Sequence, residues 1–168
     1  MKLGLGSYSY RWSIGHKDRT PSSPITCIEL LGITSKLDLD VLQIADNMPV
    51  HNIETQTLDQ LYRTAQKQGI NLEIGMQSFS TESIKLYLDI AQRLDARILR
   101  IALDGNDVGT SDDIIAKEFK NILPIAEKIN CKIAIENHFA FPSDRMANII
   151  KLVDEEYLGA CLDVANSM

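Results

Sequence analysis

The sequence predicts an α/β fold, a (β/α)8 barrel of which about six βα units lie in this chain. Apolar runs of strand length alternate with longer helical patterns, most strands have one apolar and one small or polar face, and every strand ends in polar residues. Strict alternation of strands and helices is typical of a parallel sheet with right-handed crossovers. No low-complexity linker interrupts the 168 residues, so we expect one domain, residues 1–168.

The strands of this fold are indicated by short apolar runs. Six runs fit strands: Lys2–Ser7, Val41–Ala45, Leu72–Gly75, Ile98–Ala102, Lys132–Ile135 and Leu158–Leu162. Strands of an open doubly wound sheet are apolar on both faces. Here Ile133 and Ile135 alternate with Ala134 and Glu136, and the other strands show a similar alternation of apolar with small or polar residues. A small or polar face of this kind suits the inside of a barrel, which we therefore prefer to an open sheet.

The helices lie between these strands, and each is preceded by a Ser or Thr that can cap it. Five segments fit: Pro24–Gly32, Leu58–Gln68, Glu82–Leu94, Asp112–Ile129 and Asp144–Val153. Pro24 is placed at a first helical position, and Gly69 marks a helix end. A complete barrel of eight units typically has about 250 residues. We therefore expect the domain to be incomplete at its C-terminus, to be completed by another chain, or to form an open sheet.

Composition excludes several classes of partner. The formal net charge is −6 and the pI about 5.0, which disfavours nucleic acid and anionic membranes. No apolar run reaches the length of a signal peptide or a membrane span. Cys27, Cys131 and Cys161 form no CxxC pattern, so we expect reduced thiols in a cytoplasmic protein.

The strand ends carry the chemistry, because active sites of (β/α) barrels lie at the carboxyl ends of the strands. The polar residues there are Tyr8, Asp46, Asn47, Gln77, Asp104, Asn106, Glu136, His138, Asp163 and Asn166. Two carboxylates that face one cavity repel each other unless they are protonated or bridged by a cation. Oxygen ligands suit a hard divalent ion such as Mg²⁺ or Mn²⁺. Glu136 and Asp163 are the candidate pair.

Two motifs give these residues a family context. The runs "IAIENH" and "LGACLDVANS" resemble the xylose-isomerase-like TIM barrels, the sugar phosphate isomerase/epimerase superfamily. The opening "LGLGSYSY" and the "LRI" of the fourth strand are similar more loosely. The resemblance covers the whole chain in the order of its elements.

The resemblance implies a divalent metal, Mn²⁺, Mg²⁺, Co²⁺ or Zn²⁺, at the barrel mouth. Its ligands in the family are a Glu after strand five, an Asp after strand six, a His after strand seven and a Glu or Gln after strand eight. Glu136 and Asp163 match the first two, and the other two have no counterpart, so we do not expect this chain alone to hold the ion tightly. Glu136 is also the implied catalytic acid/base beside a metal-polarised carbonyl.

Other strand-end residues are candidate substrate contacts. His138 and Asn166 resemble substrate-contacting positions, although many relatives have His at the position of Asn166. Tyr8 and Trp12 form either an apolar wall for a sugar ring or a plug of the barrel end. Gln77 ends the third strand. Inside the barrel we expect Glu73 and Arg100 to form a structural ion pair on neighbouring strands.

The implied function is a metal-dependent isomerase, epimerase or related lyase of carbohydrate metabolism acting on a small sugar, sugar phosphate or polyol. One alternative is a non-catalytic fragment or half of a two-chain assembly, whose open sheet edges would drive association into a homo-oligomer. A second is an endonuclease IV-like zinc phosphodiesterase. That enzyme needs His after strands three and four, where this chain has Gln77 and Asp104, and the acidic pI opposes DNA binding.

Overall fold

A computed structural model describes residues 1–16, 19–77 and 79–166. All of its named strands belong to one parallel sheet. They are β1 (Gly4–Gly6), β2 (Val41–Ile44), β3 (Asn71–Gln77), β4 (Ile98–Ala102), β5 (Lys132–Glu136) and β6 (Leu158–Cys161). The six predicted strands are confirmed, with bounds that differ by at most two residues.

The helices alternate with these strands. They are α1 (Arg11–Ile14), α2 (Cys27–Lys36), α3 (Thr55–Gln68), α4 (Thr81–Leu94), α5 (Asp112–Lys128) and α6 (Ser143–Val153). Three short 3-10 segments, Ser7–Tyr10, Val50–Asn52 and Gly105–Gly109, lie near the carboxyl ends of β1, β2 and β4. The first of them continues into α1, a short helix that the sequence pattern did not predict.

The strand order decides between a barrel and an open sheet. The order is β1-β2-β3-β4-β5-β6, and every neighbouring pair is parallel. A doubly wound sheet reverses its order at a switch point, whereas a barrel adds each strand next to the previous one. Within the described part of the chain, β1 and β6 each pair with one neighbour and form the two edges. The predicted partial TIM barrel is confirmed.

The core lies between the sheet and its helices. Leu42, Ile74, Leu99 and Ile133 are fully buried or nearly so, and so is Phe119 on α5. Each such side chain contributes about 1.5–3 kcal/mol through its removal from water. The opposite face of the sheet is left for smaller and polar side chains, which positions the site.

The first long helix begins later than the sequence predicted. A helix is present here, but the predicted bounds Pro24–Gly32 are wrong, because α2 begins after Thr26 and runs from Cys27 to Lys36. The Glu29 amide donates to Thr26 Oγ1 at 3.2 Å, and the Thr26 amide donates to Glu29 Oε2 at 2.8 Å. This capping box fixes the start of the helix and leaves Pro24 outside it.

The helices of residues 1–16, 19–77 and 79–166 are short or amphipathic. None of them combines the length and the apolar character that a membrane crossing requires.

Candidate active site

The carboxyl ends of the strands surround a cavity of about 710 Å³. Six of the seven predicted site residues line it: Tyr8, Gln77, Glu136, His138, Asp163 and Asn166. Trp12 is 56% exposed, and its ring lies edge-on to His16 with 5.4 Å between ring centroids. It is not among the described residues that line the cavity, so its contact with a substrate stays a prediction.

Arg100 occupies the floor of the cavity. It lies on β4, and its Nη1 donates to Glu136 Oε2 while its Nη2 donates to Asp46 Oδ1 at 2.5 Å. Arg100 is 5% exposed and Glu136 8%. Burial lowers the pKa of Arg100, but the two carboxylates raise it more, so the net shift is upward and the guanidinium stays charged.

The expected ion pair between Glu73 and Arg100 is therefore wrong. Arg100 pairs with Asp46 and Glu136, and Glu73 accepts a hydrogen bond from Gln43 Nε2 at 3.0 Å. Sequence alternation correctly pointed both side chains into the barrel. It could not show that the guanidinium reaches the strand ends, which depends on the space beside it.

Gly75 supplies that space. It lies on β3 in register with Arg100. A Cβ at Gly75 would stand 2.7 Å from Arg100 Nε and 3.0 Å from Nη2, closer than side chains approach one another. Only glycine at this position lets the guanidinium lie across β3 toward the end of β2.

The 3-10 segment Ser7–Tyr10, which follows β1, also forms hydrogen bonds with the end of β2. The Tyr8 hydroxyl donates to Asp46 Oδ2 at 2.5 Å. Burial and this hydrogen bond raise the pKa of Tyr8 far above 10, so the phenol keeps its proton. Next to it, the Ala45 amide donates to Ser7 Oγ at 2.9 Å, and Ser7 Oγ donates to Asn47 Oδ1 at 2.5 Å. Asp46 thus accepts hydrogen bonds from Tyr8 and Arg100, and Ser7 binds the residues on either side of it.

Asn137 positions the second carboxylate. The Asp163 amide donates to Asn137 Oδ1 at 2.8 Å, and Asn137 Nδ2 donates to the Asp163 carbonyl at 2.7 Å. Asn166 Nδ2 donates to the Asn137 carbonyl at 3.1 Å. These bonds join the loops that follow β5 and β6, and they bring Asp163 to the same cavity as Glu136.

A second set of polar side chains lies at the rim. Gln77 Nε2 donates to Asp104 Oδ2 at 2.7 Å. His138 Nδ1 lies 3.4 Å from the same oxygen, close enough for an ion pair but not aligned as a hydrogen bond. Gln77 and His138 therefore converge on one carboxylate at the mouth of the cavity.

Glu136 and Asp163 offer a donor set that suits Mg²⁺ or Mn²⁺, namely carboxylate oxygens that face one cavity. In residues 1–16, 19–77 and 79–166, no group of three or more His, Cys, Asp or Glu side chains is arranged to hold an ion. The two carboxylates fit as part of a metal site and do not complete one. Arg100 balances the charge of Glu136.

The roles of three residues of the site were not predicted from the sequence. Arg100 binds Glu136, Asp46 is the second partner of Arg100, and Asn137 binds the backbone of Asp163. Each had a signal. Arg100 is a charge in mid-strand on the inner face, Asp46 follows the second strand, and Asn137 stands inside the "ENH" run. The sequence did not show which of these side chains form hydrogen bonds or ion pairs with one another.

Comparison with known proteins places this geometry in a family. Residues 71–168, more than half of the chain, match the model of the xylose isomerase-like TIM barrel. The 3-oxo-isoapionate decarboxylase of Pectobacterium atrosepticum is 26% identical over 166 residues, which are 99% of this chain and 59% of that protein.

Solved structures share the fold. D-psicose 3-epimerase from Clostridium cellulolyticum H10 with D-tagatose matches with a TM-score of 0.74 at 17% identity, over 99% of this chain and 64% of the epimerase. The IolI protein with a zinc atom matches with a TM-score of 0.71 at 17% identity, over 99% of this chain and 64% of IolI. The chain spans about three-fifths of the length of these proteins. It belongs to the xylose isomerase-like TIM barrel family.

Proposed function

We propose that this chain carries part of the active site of a metal-dependent enzyme that isomerises or epimerises a small sugar or polyol derivative by proton transfer. The observation that carries the proposal is the placement of Glu136 and Asp163 at the ends of β5 and β6 in one cavity. The volume of about 710 Å³ lies within the range of small-molecule sites.

Glu136 is the proposed acid/base. It removes the proton from the carbon beside the substrate carbonyl, and the electron pair of that C–H bond moves to the carbonyl oxygen to give an enediolate. For isomerisation the same carboxyl returns the proton to the neighbouring carbon, whereas epimerisation requires a second acid, from outside the described residues, on the other face of the enediolate. Glu136 and Asp163, together with ligands from outside the described residues, would hold a divalent cation that supplies Lewis-acid stabilisation of the developing charge.

The rim is the proposed contact surface for substrate hydroxyls. Gln77, His138 and Asn166 line the cavity and carry both donors and acceptors. The Tyr8 hydroxyl donates its proton in a hydrogen bond to Asp46, so the Tyr8 oxygen can accept a hydrogen bond from a substrate hydroxyl. Such contacts hold the reacting carbon against Glu136.

Decarboxylation of a 3-oxo sugar acid is the second candidate. The observation that favours it is the match to the 3-oxo-isoapionate decarboxylase over 99% of this chain. In this reaction the bond to the substrate carboxylate breaks, CO₂ leaves, and the electron pair moves to the carbonyl oxygen. The resulting enolate takes up a proton from water, which Glu136 is placed to relay. The two candidates therefore share their residues and differ in which bond breaks.

One experiment separates the candidates. The full chain is incubated in D₂O with Mn²⁺, Mg²⁺, Co²⁺ or Zn²⁺ and either a ketose or a 3-oxo sugar acid. Deuterium that enters beside the carbonyl of the ketose without release of CO₂ indicates isomerisation or epimerisation, and CO₂ released from the 3-oxo sugar acid indicates decarboxylation. We expect E136Q and D163N to abolish turnover, with the exposed E155Q as the matched control. Turnover that persists in E136Q, or is indifferent to metal, would contradict the proposal.

The zinc phosphodiesterase has less support. It needs His at the ends of β3 and β4, where the structure has Gln77 and Asp104 hydrogen-bonded to each other. A cavity lined by the carboxylates of Asp46, Glu136 and Asp163, which outnumber the guanidinium groups of Arg11 and Arg100, is also a poor match for a phosphate backbone.

We also propose that the open sheet edges associate with a second copy of the chain. Leu3 before β1 and Leu162 and Val164 after β6 are exposed, and each edge strand has unpaired backbone groups. Light scattering of the purified chain tests this expectation. A stable monomer at micromolar concentration would argue against it.

A further inference from the structure

Arg100 is the most constrained charged residue of the cavity, and the proposed proton transfer does not use it. Its guanidinium binds the carboxylates of Glu136 and Asp46 through separate nitrogens. Its Nε is buried and finds no hydrogen-bond partner among the described residues. A buried donor without a partner is unfavourable, so the arrangement is retained at a cost to stability.

We propose that Arg100 is the positioning residue of Glu136. Among the described residues, hydrogen bonds reach the carboxylate of Glu136 only at Oε2, where Arg100 Nη1 donates. The carboxylate is thereby held in one orientation, with Oε1 left for a cavity ligand. The inference deepens the proposed function and rests on it for the role of Glu136 as ligand and acid/base.

Asp46 and Gly75 make the orientation unique. Asp46 Oδ1 binds Nη2 at 2.5 Å, so the planar fork is anchored at the end of β2 and cannot rotate away from Glu136. Gly75 leaves room for the guanidinium, since a Cβ there would stand 2.7 Å from Nε. Asp46 at the end of β2, Gly75 on β3 and Arg100 on β4 thus together orient the side chain of Glu136 on β5.

The expected consequence is preorganisation. A glutamate that is not held has several rotatable bonds and must lose their freedom when it binds a ligand. With Arg100 in place that ordering is complete before the ligand arrives. Partners that orient a metal ligand from behind typically change metal affinity by about 10–100-fold when they are removed.

The test must separate orientation from charge, because any change that removes the cation also alters the field at Glu136. R100K keeps the charge but replaces the fork with a single ammonium, which cannot reproduce two fixed hydrogen bonds. G75A keeps Arg100 and displaces its guanidinium by steric contact. G159A is the matched control, because a Cβ at this glycine of β6 meets nothing within 4 Å.

The readout is the dissociation constant of Mn²⁺ from the full chain, measured from the EPR signal of free Mn²⁺ at fixed pH. We expect R100K and G75A to weaken binding by about tenfold or more, and G159A to leave it unchanged. Constants for R100K and G75A that equal that of G159A would overturn the proposal.

A wild-type chain that binds Mn²⁺ too weakly for this measurement would show that Glu136 and Asp163 need the ligands from outside the described residues. In that case a double-mutant cycle of R100M and E136Q in EDTA decides whether Arg100 holds Glu136. We expect E136Q to shift the urea midpoint much less in the R100M background than in the wild type. Additive shifts in the cycle would overturn the proposal independently of any metal.

Discussion

The floor and the rim of the cavity are built from the same kinds of groups in different surroundings. On the floor, the side chains of Arg100, Glu136 and Asp46 are 6%, 11% and 17% exposed, and both ion pairs are direct hydrogen bonds. At the rim, the side chains of His138 and Asp104 are 22% and 28% exposed, and their 3.4 Å contact is not aligned.

Burial decides what each pair contributes. An ion pair near water is screened and contributes about 0–1 kcal/mol. A buried pair gains less than its Coulomb energy suggests, because both ions were desolvated, but the loss of one partner leaves a charge without compensation. The floor is therefore rigid and costly to disturb, and the rim is free to rearrange around a substrate.

The largest effect is expected from R100M, which removes the central cation of the floor. Glu136 and Asp46 then remain buried without their common partner. We expect a loss of about 3–5 kcal/mol in the free energy of unfolding. Urea unfolding followed by circular dichroism in EDTA measures it.

The control for this variant is R63M, because Arg63 lies on the exposed face of α3. A change within about 0.5 kcal/mol is expected there. If R100M costs no more than R63M, the floor is no more tightly coupled than the surface, and the contrast with the rim fails.

The fold could be predicted from the sequence because each of its signals is local. The two-residue alternation of Ile133 and Ile135 with Ala134 and Glu136 identified the inner face of β5, and Gly69 marked the end of α3. The start of α2 was missed, because Ser23 and Pro24 give the same local signal as the capping box of Thr26.

The candidate site could be predicted only in part. Strand ends bring Glu136 and Asp163 to one cavity by topology, and this was foreseen. The reach of Arg100 to Asp46 depends on the missing side chain at Gly75, which lies on β3 between β2 and β4. A long flexible side chain can reach many partners. The packing around it determines which of them it binds, and no local sequence pattern predicts that packing.

N137A is expected to have the next largest effect, because it separates the floor from β6. Buried Asn137 exchanges two hydrogen bonds with the backbone of Asp163. Their removal should cost about 1–3 kcal/mol. Faster amide exchange at Asp163, with the amides of β2 unchanged, would locate the loss. Equal acceleration in both strands would contradict a local role.

D112N tests an ion pair of intermediate exposure. Asp112 accepts from Asn148 Nδ2 and from Arg145 Nε, each at 2.8 Å. The bond from Asn148, more than the bond from Arg145, lowers the pKa of this carboxyl. Because the folded pKa is below the unfolded one, the stabilisation is complete above about pH 4 and is lost as pH falls through the folded value.

Urea unfolding from pH 6 to pH 2.5 measures this effect. We expect the wild type to exceed D112N by about 0.5–1 kcal/mol at pH 6, and the difference to shrink as the pH falls below about 4. Asp113 is exposed on the same helix turn, so D113N is a suitable comparison. A difference that grows on acidification would have the wrong sign and would refute the role of Asp112.

The smallest effect is expected from D104N at the rim. Asparagine retains an oxygen that can accept from the Gly105 amide, now bonded to Asp104 Oδ1 at 2.7 Å, and the Gln77 amide can turn to match the new donor. What is lost is the charge beside His138, so the cost should stay below about 1 kcal/mol. Added salt should reduce this cost further, while it leaves the larger cost of R100M almost unchanged, since buried pairs are screened much less than exposed ones. If D104N proved as costly as R100M, or equally insensitive to salt, then burial would not be what distinguishes the rim from the floor.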